Sequence, residues 1–131
     1  MKFQPDRAEG VNLIHGYDGT GVQVLGQRYV GRLVVPWRGP VVAWEPAQTI
    51  ELAPEHFQTL LSWQPEVVLL GAVASAPRVH PRLYAALMAA GVGLEAMDRA
   101  AACRTYNVLA SEGRRVLAAL LPEPAPAGTG L

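Results

Sequence analysis

The chain has 131 residues, with 11 basic and 11 acidic side chains, a formal net charge of zero, and a composition that is 50% hydrophobic and 17% charged. That length suits one domain with a substantial core, and that hydrophobic content excludes a disordered polyampholyte. Balanced charge, with no basic cluster beyond Arg114-Arg115, leaves no electrostatic footprint for tracking a phosphate backbone, so nucleic acid is not an expected partner.

Residues 1–10 are polar and 122–131 are rich in Pro, Ala and Gly, so both ends are expected to be flexible, with a single domain over 11–121. Between Val11 and Trp44 the runs Val22–Leu25, Tyr29–Val35 and Val41–Trp44 are separated by Gly-rich turns and by Trp37-Arg38-Gly39-Pro40, which predicts an antiparallel β meander. The period then changes. Pro54 suits a first helical position, Phe57, Leu60 and Leu61 share a helical face, and Pro65 ends the element. Glu66-Val-Val-Leu-Leu70 is a continuous apolar run closed by Gly71, the pattern of a strand covered on both faces and placed centrally in a sheet.

Pro81 to Ala90, closed by Gly91, predicts a second helix, and Val92 to Met97 the strand after it. Ala100 to Glu112 predicts a third helix. Arg115 to Leu121 reads as a final strand, with helical continuation through Ala118 and Ala119 as its competitor. Alternating strands and helices make the second half α/β. No apolar run approaches the roughly 20 residues that a bilayer-spanning helix needs. The single Cys103 cannot close an intramolecular disulfide, and the first residues lack an apolar signal core, so a reducing, cytoplasmic setting is expected.

The unusual polar chemistry lies between Glu95 and Asn107. Asp98 is placed to cap the third helix, just beyond the carboxyl end of a strand, where α/β sheets often bind ligands. Free N–H groups there favour an anion and Arg104 adds a bidentate donor, although the carboxylate of Asp98 opposes negative charge. Cys103, Asn107 and Ala110 share a stripe with Tyr106 beside it; Arg104 and Val108 lie on the adjoining side. Asp98, Cys103, Arg104, Thr105, Tyr106 and Asn107 are therefore the candidate binding residues. No histidine is placed by sequence to activate Cys103, so an inert thiol is expected and no catalytic residue is assigned. Period 2 puts Glu95 on the face opposite Asp98, against a carboxylate pair. His15, His56 and His80 lack ligand spacing, and no metal or cofactor is expected. Gly16-Tyr-Asp-Gly-Thr-Gly21 lacks the following Lys-Ser/Thr of a phosphate loop and reads as a hairpin turn. Trp37, Trp44 and Trp63 carry no specific signal.

Ile14-His-Gly-Tyr17, Gly21-Val-Gln-Val24, Pro65-Glu-Val-Val-Leu-Leu-Gly71, Gly91-Val-Gly-Leu-Glu-Ala-Met-Asp98 and Ala101-Ala-Cys-Arg-Thr-Tyr-Asn-Val-Leu109 together resemble a family of small domains of unknown function that includes the mitochondrial complex I assembly factor 3. The resemblance implies a three-layer, single-domain α/β fold, a mixed central sheet with helices and an additional N-terminal β meander. It departs from the family's Gly-Thr-Gly turn at Gly71-Ala72-Val73-Ala74 and has Arg99 where Thr commonly follows the Asp. It brings no established chemistry and implies a noncatalytic protein-binding or assembly-assisting role. The alternatives are an enzyme or sensor binding a small anionic ligand in a crevice near Asp98–Asn107, with Cys103 and Arg104 active, or a structural homo-oligomer.

Overall fold

The computed structural model describes residues 10–46, 51–72 and 79–122. Most of both terminal segments expected to be flexible, and Val73-Ala74 after the central strand, lie outside the described residues. Among the described residues eight strands form two sheets: β1 (Ile14–Tyr17), β2 (Gly21–Val24) and β3 (Gln27–Val30) make an antiparallel three-stranded sheet. β4 (Leu33–Pro36), β5 (Val42–Ala43), β6 (Val67–Ala72), β7 (Gly93–Asp98) and β8 (Val116–Leu120) make a mixed sheet in the order β5-β4-β8-β6-β7. The expected strand Tyr29–Val35 is thus two strands in two different sheets. Gly31 breaks it, with φ +89°, a left-handed conformation in which a β-carbon would be strained.

β6 is buried along its whole length, as its apolar run predicts, and pairs in parallel with β7 on one side and β8 on the other. The middle strand is β8, which also pairs antiparallel with β4. Its five residues, Ala118 and Ala119 included, are all buried, so the strand reading of this segment holds against the helical one.

Among the described residues three short or medium helices cover the large sheet. α1 (Pro54–Gln58) runs into a 3-10 segment, Thr59–Trp63, which ends at Gln64 with φ +57° before Pro65. A 3-10 turn, Pro81–Tyr84, leads into α2 (Ala85–Ala89). α3 (Arg99–Ser111) follows β7 directly. Alternation along β6 sorts the core: Val67 and Leu69 join Ala102, Cys103 and Tyr106 of α3 together with Ile14, Val22 and Val24 of the small sheet. Val68 and Leu70 face Phe57, Leu60 and Leu87 of the other helices. The result is a three-layer α/β domain, with the small sheet beside α3 as the additional layer.

Candidate functional site

The chain passes from β7 to α3 at Asp98, whose extended backbone (φ −67°, ψ 161°) lets its Oδ1 accept the Ala101 N–H at 2.8 Å. This is an N-cap that satisfies one of the free donors of the first turn. The same turn lies very close to the sheet. A β-carbon added at Gly71 would stand 2.7 Å from Ala102 Cβ, 2.9 Å from Leu120 Cδ2 and 3.2 Å from Arg99 Cα. The carboxyl end of β6 is therefore packed closely against the first turn of α3 and Leu120 of β8, where a crevice would need space.

Arg99, 4% exposed, is laid inward. Its Nη1 donates to the backbone carbonyl of Asp18 in the β1–β2 turn. That turn is the Gly-rich segment 16–21, and it forms the expected hairpin: the Asp18 carboxylate accepts from Thr20 N at 2.8 Å and Gly21 N at 2.9 Å, and pairs with Arg28 at 3.1 Å. Arg28, then the turn amides, hold the Asp18 carboxyl well below the usual carboxylate range. The amides that a phosphate would need are already engaged.

Of the six candidate positions, two lie inside. Cys103 is fully buried, and burial pushes its thiol up to about 11 although the charges of Arg99 and Arg104 pull it down. Tyr106 is fully buried with its hydroxyl 2.8 Å from Asn12 O and 2.9 Å from Pro36 O; burial raises its pKa too. Asn107 is half-buried and its carboxamide is engaged twice by β1, donating to Ile14 O at 2.7 Å and accepting from Ile14 N at 2.8 Å. It pairs with β1 as a neighbouring strand would.

The other three reach the surface. Arg104 is exposed and its Nη1 donates to Tyr17 Oη at 3.4 Å; Thr105 and Asp98 are half-buried. Val108, one turn beyond Arg104, is 55% exposed. Thiol, amide and guanidinium consequently do not gather around one hollow, because a straight helix turns the first inward and the last outward. Two residues outside the sequence-based set matter here. Tyr17 joins the arginine only through the β1–α3 packing, which no local pattern foretells. Arg99, which stands where Thr commonly follows the Asp in the resembling family, is buried and reaches the β1–β2 turn. Glu95 is exposed on the edge strand β7.

A family model described as a protein of unknown function (DUF498/DUF598) matches residues 14–121. The mouse protein named NADH dehydrogenase (ubiquinone) 1 alpha subcomplex assembly factor 3 is 32% identical over 113 residues, 85% of this chain and 60% of the mouse protein; the chain thus spans three-fifths of that relative's length. A crystal structure of a Bordetella parapertussis protein superposes with a TM-score of 0.81 at 35% identity, covering 86% of this chain and 97% of that one. A solution structure of a Bordetella pertussis protein, titled a Mth938-like domain, gives a TM-score of 0.77 at 30% identity over 93% and 92% of the two chains.

Proposed function

Since the chain belongs to the DUF498/DUF598 family of proteins of unknown function, we propose that it is a noncatalytic domain that binds a protein partner in an assembly-assisting role, through the outward face of α3. The observation that carries this reading is the patch formed by Arg104, Val108 and Tyr17. An arginine, an exposed aliphatic side chain and a 38% exposed tyrosine stand together on a rigid helix and the strand packed against it. Tyrosine and arginine are the residue types enriched at interface hot spots, and a rigid backbone lowers the entropy cost of docking. Half-buried Thr105, next to Arg104, and Asp98, at the start of the helix, border the patch.

The mouse relative's name adds the class of work, assembly of a multisubunit NADH dehydrogenase, which this reading extends to the present chain as help in putting a complex together. The inward placement of Cys103 supports the absence of thiol chemistry, since a nucleophile must be ionised and reachable.

The test is a comparison of tagged chains expressed in the native cell. Arg104→Glu with Val108→Glu should abolish recovery of the proteins that copurify with the parent, while Arg82→Glu, exposed on the opposite side of the large sheet, should leave it intact. Both variants should melt within about 1 kcal/mol of the parent, the usual range for surface changes. Equal recovery from the α3 variant would reject the face.

A further inference from the structure

On the side of the large sheet away from α3, a cavity of ≈ 370 Å³ lies between β4–β5 and the segment made of α1 and its 3-10 continuation. That volume is within the range of small-molecule sites, about 300 to 1,000 Å³. Its apolar wall includes Trp44, Leu60 and Trp63, and its polar lining includes Glu45, Glu55, Thr59 and Ser62. No lysine or arginine is among the described residues that line it.

Three of the donors in this lining are already engaged within the protein. Trp44 Nε1 donates to His56 O at 3.3 Å, Thr59 Oγ1 donates to the same carbonyl at 3.0 Å, and Ser62 Oγ donates to Thr59 O at 3.0 Å. Those protons are engaged within the protein, and the two hydroxyls keep lone pairs to offer. His56 also lines the cavity. Its Nδ1 accepts from Ala53 N at 2.9 Å and its ring meets Trp44 edge-on, centroids 6.4 Å apart, so the imidazole is held in place. Glu45 and Glu55 are exposed and take part in none of the ion pairs among the described residues. Two unneutralised carboxylates disfavour an anion and attract a cation through charge, and the hydroxyl lone pairs add acceptors for its N–H groups.

We propose that this cavity binds a small primary ammonium ion with an apolar body: the ammonium donates to the glutamates and hydroxyls, and the body lies against Trp44, Trp63 and Leu60. Four acceptors suit three N–H donors, and an apolar wall suits a hydrocarbon tail. The site is independent of the α3 face, on the far side of the sheet.

The experiment is an NMR titration of the full isotope-labelled chain with phenethylammonium chloride at pH 7 and low salt, read at the indole N–H resonances. Saturable shifts are expected for Trp44 and Trp63 and none for Trp37, which does not line the cavity. The neutral 2-phenylethanol and the anionic 3-phenylpropanoate should bind about tenfold more weakly or worse. The double variant Glu45→Gln with Glu55→Gln, whose substitutions are isosteric and at exposed positions, should retain its thermal melt and lose affinity for the ammonium by the same factor. Equal binding of the alcohol, undiminished binding to the double variant, absence of saturation, or shifts as large at Trp37 would each overturn the proposal.

Discussion

Cys103 shows how one residue's environment decides its chemistry. Its position as the fifth residue of α3, near two arginines, suits an activated thiol, yet the helix turns it toward the core and desolvation outweighs both charges. In the unfolded chain the thiol ionises near 9.0 and in the folded one near 11. Between those values the unfolded chain has released a proton that the folded chain retains, so the contribution of this group to stability is complete below about pH 9 and is lost as pH rises toward 11. Urea midpoints should therefore fall across that window in the parent and fall less in Cys103→Ala. An unchanged slope in that variant would show that the thiol is not desolvated. Asn107 carries a second prediction. Replacing it with alanine leaves Ile14 N–H and C=O without their partner, which should cost about 1 to 3 kcal/mol by chemical denaturation; a loss within error would mean that water replaces the amide freely. Neither residue's contacts could be seen in the sequence beyond their shared stripe, since their partners are 93 positions away for Asn107 and, for Cys103, spread over several elements.

Elements were readable where a pattern ran long enough to be unambiguous. The apolar run of β6, the capped helix α3 and the Pro54 start of α1 all stand where their periodicity and punctuation put them. Four-residue strands were harder. β1, with the sequence Ile-His-Gly-Tyr, has too little alternation to mark it, and Tyr29–Val35 conceals a change of sheet at Gly31. The packing of α3 on β6 depends on a glycine for a reason of space. With its hydrogen replaced by a methyl, Gly71→Ala would force Ala102, Leu120 or the Arg99 backbone to move, and overpacking of this kind typically costs about 1 to 3 kcal/mol. The expected result is a lowered melting temperature. Because the rigid seat of α3 is disturbed, partner recovery should weaken as well. A variant as stable as the parent would show that the helix has freedom to shift.

At the scale of the molecule, the large sheet separates two surfaces. α3, with the small sheet beside it, holds Arg104, Val108 and Tyr17 on one side; α1 and its 3-10 continuation hold the tryptophan-walled cavity on the other. The α/β class of the second half was legible from its alternating strands and helices, whereas the three-layer arrangement was anticipated only through the family resemblance. The division of the candidate site between core and surface was not legible, because it depends on the rotation of α3 about its axis, which is fixed by Tyr106 reaching Asn12 and Pro36 and by Asn107 reaching β1. The central claim, that the outward face of α3 receives a protein, is tested most directly by replacing Val108 with the photoreactive p-benzoylphenylalanine in the native cell and irradiating. A discrete covalent adduct with another protein at position 108, lost when Arg104 is also changed to Glu, is the predicted result; no adduct there, or one that persists undiminished in the Arg104→Glu background, would contradict it.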